Sequence, residues 1–301
     1  MIKKIKKTIK NPRRILLYLI AKLRCQWLPD DIYLKLVYWA EIGKTLNLEN
    51  PQTFNEKIQW LKIHDRKAEY TRLVDKYEVK KYIADSIGEE YVIPTLGVWD
   101  CFDDIDFRKL PDRFVLKCTH DSGGIVIVKD KKNFDLEAAR KKLEKALMSN
   151  YYYLRREWPY KNVKPRILAE TYMEEEGSSE LSDYKFMCFN GKVKCSFTCT
   201  ERYSDSGLKV TFYDKEWNIM PFERHYPKCE TPLIKPCNYD KMIELAEKLS
   251  KDLIFARIDF YEINGKVYFG EITFYPGSGM EEFEPEEWDE KLGSWIDLKI
   301  K

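Results

Sequence analysis

Asp259 and Glu271 are the residues through which this chain is best equipped to do chemistry. They fall in ARIDFYEINGKVYFGEITFYPGSG, residues 256 to 279, where two alternating apolar and polar runs flank Asn264-Gly265. Alternation of that period predicts strands, and Asn-Gly predicts the tight turn of a hairpin. In RIDFYEI, Arg257, Asp259 and Tyr261 point one way, leaving Ile258 and Phe260 free to be buried. Alternation carried through the turn sets Glu271 and Thr273 on the face of Asp259. Two hard oxygen ligands on adjacent strands suit Mg²⁺ on a polyphosphate, because that metal keeps several waters and takes only one or two carboxylates. The same residues also fit a hairpin whose polar face is merely solvated.

Two further segments must position partners for this pair. FVLKCTHDSGGIVIVKD, residues 114 to 130, reads as strand, loop, strand, with Lys117 at the end of the first strand and Gly123-Gly124 in the loop. Glycines there let the backbone approach a phosphate, and successive N–H groups can form an anion-binding nest. An ordinary hairpin explains the same pattern. RILAETYMEEEGSSELSDYKFMCFNGKV, residues 166 to 193, reads as two strands paired through a polar connection. A strand edge beside Glu170 suits an adenine, and Asp183 is placed to accept from ribose hydroxyls; a charged strand rim is the alternative.

In order and content these segments resemble the ATP-grasp superfamily, and more closely its TupA-like branch. The resemblance runs through TFNEKIQWLK, LVDKYEVKKYI, FVLKCTHDSGG, PRILAETYM, DYKFMCFNGK and ARIDFYE with FGEITFYPGSG, spanning about residues 50 to 300. It implies an α+β fold in which a small antiparallel lid covers a larger nucleotide- and metal-binding sheet, preceded by a helical amino-terminal region. Implied boundaries are a basic segment over 1–50, a helical substrate-side region over 51–110, the lid over 111–190 and the metal-binding subdomain over 191–301.

The resemblance also implies roles. Lys76 and Lys117 match nucleotide lysines; His120, Ser122, Gly123 and Gly124 fall in the phosphate-covering loop. Glu170 with the Tyr172 and Met173 backbone matches the adenine hinge, and Asp183 the ribose carboxylate. Asp259 and Glu271 match Mg²⁺ ligands, with Thr273 where the superfamily usually has Asn. Arg257 matches an arginine that steadies the acyl phosphate, and Lys185 points at the triphosphate; His120 is a candidate acid or base. The implied activity is ATP- and Mg²⁺-dependent ligation of a carboxylate to an amine in cell-surface polysaccharide synthesis, with an amino acid and a sugar or polysaccharide precursor as substrates. A glycosyltransferase using Asp103 and Asp104, a sugar kinase and a non-catalytic ATP-binding module are the other readings.

Composition agrees with an enzyme of this kind. At 301 residues and 44% apolar content the chain can bury a sizeable core. A net charge of +2 gives no bulk attraction to nucleic acid. Residues 1 to 24 hold nine basic residues and no acidic one around ILLYLIAKL, an apolar run too short to span a bilayer. That segment reads either as an amphipathic helix on the inner membrane leaflet or as a basic helix packed on the domain. The eight cysteines form no C-x-x-C pair and read as reduced thiols of a cytoplasmic protein. The three histidines, His64, His120 and His225, show no metal-ligand spacing. Residues 13 to 90 are mostly helical by pattern, with Asp30 and Asn55 as caps; 134–148 and 240–253 form amphipathic helices, and Pro94 limits the strand near 89–100 to an edge or an end. The aromatic and basic stretch YYYLRREWPYKNVKP, 151 to 165, suits either stacking on a ring substrate or a packed linker.

Overall fold

The computed structural model describes residues 25–175, 181–201, 204, 207–231 and 233–298, with positions 13, 15, 17 and 20 ahead of them. Apart from those four positions, the basic segment 1 to 24 and its expected membrane contact lie outside the described residues. Among the described residues no helix is long and apolar enough to cross a membrane.

Helices α1 (Asp30–Ile42), α2 (Phe54–His64), α3 (Ala68–Val74) and α4 (Glu78–Ser86) come first. The caps differ from expectation. Pro29 precedes α1 and makes no side-chain cap bond, so Asp30 is its first residue. Thr53 caps α2 by accepting from Glu56 N–H, while Glu56 reaches back in a capping box. Asn55 instead donates to the Asp289 carboxylate at 3.0 Å and the Glu281 carbonyl at 2.8 Å.

Strands β1 (Thr95–Trp99), β2 (Phe114–Cys118), β3 (Ile125–Val128) and β4 (Ile167–Thr171) form one antiparallel sheet in the order β1-β4-β2-β3. Its apolar face is covered by α5 (Leu136–Leu147) through Ala139, Leu143 and Ala146, giving the lid its own core. After the short α6 (Tyr152–Arg155), strands β5 (Asp183–Phe189), β6 (Lys192–Thr200), β7 (Lys209–Tyr213), β9 (Phe255–Ile263) and β10 (Lys266–Thr273) build a five-stranded sheet ordered β10-β9-β5-β6-β7. All its pairings are antiparallel. Helix α7 (Tyr239–Ser250) backs it, burying Met242, Leu245, Ala246 and Leu249 against a core that includes Phe186, Ile258 and Phe260. Each large apolar side chain so buried contributes about 1.5–3 kcal/mol. Short 3-10 turns link several of these elements, and β8 (Glu223–Arg224), β11 (Phe283–Glu284), which pairs with it, and α8 (Glu287–Ser294) lie outside the two sheets.

Helices set apart from antiparallel sheets make this an α+β fold. One expectation needs correction. β4 and β5 do not pair: β4 lies in the lid sheet and β5 is the central strand of the larger one. The four-stranded sheet is drawn from 95–99, 114–118, 125–128 and 167–171. β5 instead pairs with β9 from Asp183 to Phe189, which buries Phe186, Ile258 and Phe260 in the core of the larger sheet.

Candidate active site

The cleft lies where the lid faces the larger sheet. On that face the ladder aligns Lys185, Asp259 and Glu271 in one row across β5, β9 and β10, with Asp183 opposite Tyr261 and Thr273 opposite Arg257. The row depends on a bulge. From Lys266 opposite Ile263 to Phe269 opposite Phe260 the hairpin is regular. Continued without interruption, it would set Gly270 opposite Asp259 and turn Glu271 to the buried face. The ladder instead skips Gly270 and pairs Glu271 with Asp259. A Cβ on Gly270 would lie 3.1 Å from the Asp259 carbonyl oxygen and 3.2 Å from the Tyr261 ring, so glycine is the residue that fits. Strict alternation through Asn264-Gly265 therefore does not by itself bring the carboxylates together.

The paired charges form a closed network. Arg257 donates to Asp259 from Nε at 2.7 Å and Nη2 at 2.8 Å, and Lys185 donates to the same carboxylate at 2.5 Å. Arg257 also ion-pairs with Glu271, which accepts from the Thr273 hydroxyl at 3.2 Å. Lys185 reaches Asp183 at 2.6 Å. Burial alone would lower the Lys185 pKa, but Asp259 outweighs it and holds the ammonium up. Likewise burial opposes, and Arg257, Lys185 and Lys76 overcome, so that Glu271 is held down at about 2. Burial pushes the Asp259 carboxyl up against the pull of Arg257 and Lys185.

A second cluster joins the lid to α4. Glu170, on β4, takes Lys80 on one oxygen at 2.5 Å and Lys117 on the other at 2.6 Å. Lys80 also donates to the Ile93 carbonyl at 2.6 Å. Burial works against the Glu170 carboxylate, yet the two lysines keep its pKa below the ordinary range. Lys76 is lowered by burial and donates to the Asp121 carbonyl, fastening the loop that contains Ser122.

Most expected residues meet here. Lys76, Lys117, Ser122, Glu170, Asp183, Lys185, Asp259 and Glu271 line a cavity of about 250 Å³. It shares Lys117, Glu170 and Tyr261 with an adjoining cavity of about 850 Å³ that Tyr172 and Met173 also line. Arg257 and Thr273 line the far side of Glu271.

Three details differ from the sequence reading. His120 is buried with Nε2 3.0 Å from the Ala146 carbonyl and does not line the cleft. Neither Gly123 nor Gly124 has a positive φ, and the Gly124 N–H is taken by the Asp121 carboxylate at 3.0 Å, so the loop as it stands is no anion nest. Gly124 is required by close packing, because a Cβ would meet Ala146 and Cys118 within 3 Å. Asp103 pairs with Arg140 on the lid at 2.7 Å, away from the cleft. Lys80, Lys62 and Glu157 were missed. Only Lys80 had a signal, its spacing of four from Lys76.

Among the described residues no three His, Cys, Asp or Glu side chains cluster as a metal cage. Two opposed carboxylates with a hydroxyl beside them fit Mg²⁺, which takes few protein ligands and fills its shell with water and phosphate oxygens.

A four-stranded lid over an antiparallel sheet, with lysines and paired carboxylates facing the cleft between them, defines an ATP-grasp architecture. Within that class the chain belongs to the TupA-like ATP-grasp family, whose model matches residues 56–297. Among curated proteins none matches the chain. Solved structures similar to it include D-alanine–D-alanine ligase from Bacillus anthracis complexed with ATP, at 17% identity and a TM-score of 0.40 over 67% of this chain and 54% of that one. D-Alanine–D-alanine ligase from Helicobacter pylori is similar at 18% and 0.39, over 75% and 63%. L-amino acid ligase from Bacillus licheniformis is similar at 16% and 0.40, over 69% and 44%. This chain thus spans less than two thirds of each of these structures, and the family match is what assigns it.

Proposed function

We propose that the protein is an ATP-dependent carboxylate–amine ligase of cell-surface polysaccharide synthesis, forming an amide between an amino acid and a uronic or amino sugar through an acyl phosphate. The observation that supports this most is the Lys185, Asp259 and Glu271 row beneath Arg257, facing a cleft walled by Lys76 and Lys117.

In this reading the larger cavity takes adenine against Val115, Ile127 and Met173, with Glu170 and the Tyr172 and Met173 backbone at its edge and Asp183 toward the ribose. Lys76, Lys117 and Lys185 neutralise the triphosphate, and Arg257 holds the transferred group; positioning and electrostatics dominate phosphoryl transfer. Asp259 and Glu271, with the Thr273 hydroxyl, would hold Mg²⁺, which when bound screens charge on the triphosphate. The Ser122-Gly123-Gly124 loop closes on the site and excludes water, which would otherwise hydrolyse the acyl phosphate.

The test is ADP formation by the purified protein across amino acids, uronic acids and amino sugars, alone and in pairs, with hydroxylamine added to trap an acyl phosphate. ADP appearing only with a carboxylate and an amine together, and hydroxamate with the carboxylate and hydroxylamine, is expected. ADP formed with a neutral sugar and no carboxylate would make it a kinase instead.

A further inference from the structure

On the far side of Glu271 from the nucleotide cleft lies a separate cavity of about 280 Å³. Ser122 and Glu271 form the wall common to both, and Arg257 and Thr273 open into it. Its other lining groups include Tyr151, Tyr160, Glu157 and Ser278. The rings of Tyr151 and Tyr160 stand edge to face, 5.1 Å apart.

Glu157 is the unusual member. It is buried at 4% exposure, and among the described residues no lysine or arginine forms an ion pair with it. Lys62 exerts the largest charge effect on it without coming within ion-pair distance, and the other nearby cations are paired elsewhere. Arg155 ion-pairs with Glu41 at 2.8 Å, and Arg257 with Asp259 and Glu271. Lys62, fully buried behind the cavity, donates to Gln59 Oε1, the Arg155 carbonyl and both oxygens of Ser278. Burial pushes the Glu157 carboxyl up, outweighing Lys62 and Ser278, which lie beside it and favour its charged form. A buried carboxylate is tolerated when something pairs with it. Here the open side of Glu157 faces a cavity with aromatic faces, and carboxylate plus tyrosine rings is the chemistry that recognises an organic ammonium.

We infer that this cavity is the amine-acceptor site and that Glu157 binds the primary ammonium group of the acceptor and takes its proton. For the reaction, though not for the binding, the inference rests on the ligase reading above. The ammonium passes one proton to Glu157, and its nitrogen lone pair forms the C–N bond. The acyl C–O bond breaks with its electron pair leaving on phosphate, and the second nitrogen proton departs with that phosphate. One proton stays on the amide nitrogen, and Glu157 returns its own to water as product leaves. Lys62 and Ser278 are positioning residues that hold the carboxylate toward the cavity.

The experiment is calorimetry on the full chain with D-glucosamine hydrochloride and ethanolamine hydrochloride, against D-glucose and ethylene glycol. It compares the parent with Glu157→Gln, Glu157→Asp and Tyr151→Leu, and Mg²⁺-ATP affinity checks that each variant is folded. Binding of the ammonium probes alone is expected, weakened about ten- to a hundredfold in Glu157→Gln, partly restored in Glu157→Asp and reduced in Tyr151→Leu. Equal binding of charged and neutral probes, no binding of either, or undiminished binding by Glu157→Gln overturns the inference; if Glu157→Gln does not fold, undiminished binding by Tyr151→Leu does so. The two readings fail separately. Ammonium binding without ADP formation on any carboxylate and amine pair removes the ligase reading and leaves the site. Ligation unaffected by Glu157→Gln removes the site and leaves the ligase.

Discussion

Replacing Asp259 by asparagine preserves volume and strand position while removing the charge at the centre of the ion network. The carboxylate is 2% exposed and accepts three hydrogen bonds, two from Arg257 and one from Lys185. Removing one partner of a buried ion pair costs about 3–5 kcal/mol, because the other charge is left uncompensated. Glu271 and Asp183 stay beside the two cations, which favours the lower end, about 3 kcal/mol. For a chain of this size each kcal/mol moves the melting midpoint roughly 2–4 °C, so Asp259→Asn should melt about 6–12 °C below the parent. Scanning calorimetry without ligand reads that shift. Titration with ATP, with and without Mg²⁺, reads the second consequence, loss of the Mg²⁺-dependent part of the affinity. A variant melting within about 1 °C of the parent and binding Mg²⁺-ATP equally well would refute the network as drawn.

Glu271 has a folded pKa of about 2 against an ordinary 4.5, so the stability it adds is present above pH 4.5 and is lost as pH falls toward 2. Urea midpoints measured over that window should fall more steeply in the parent than in Glu271→Gln; parallel curves would show that Glu271 is not held down. Gly270→Val forces a Cβ to 3.1 Å from the Asp259 carbonyl and should cost about 1–3 kcal/mol, whereas deleting Gly270 leaves Glu271 opposite Asp259 in a regular ladder and should disturb Mg²⁺-ATP binding less. Calorimetric affinities that rank the two the other way would exclude the bulge as the source of the register. Lys80→Met removes one of two ammonium partners of Glu170 and should loosen the lid by about 1–3 kcal/mol, seen as faster amide exchange in β4 together with α4. Unchanged exchange in both elements would mean that Lys80 does not tie the lid to the helix.

Much of the site was legible in local patterns. Alternation in RIDFYEI placed Arg257, Asp259 and Tyr261 on one face, and Asn190-Gly191 and Asn264-Gly265 adopt the left-handed conformations that their hairpins require. What escaped depends on distant partners. That β4 does not pair with β5 follows from a β5–β9 ladder whose partners, such as Lys185 and Asp259, lie 74 positions apart, which no local pattern shows. The bulge at Gly270 leaves no mark in a periodic pattern except the glycine itself. Glu157 sits in a stretch that reads equally as a stacking surface or a packed linker, and Lys62 in a region that reads only as helical. Only packing α2 against Ser278 and Gly279 reveals them as one buried polar cluster.

That packing bears on how the chain is made. Asn55, Gln59 and Lys62 on α2 find their partners at Glu281, Asp289, Gly279 and Ser278, more than two hundred positions later. During synthesis from the amino terminus, the helix leaves the ribosome long before anything exists to satisfy these groups. Until residues 278 to 289 emerge, its polar stripe has only water or a chaperone to face. The helix can therefore be buried as it is here only once residues 278 to 289 are present.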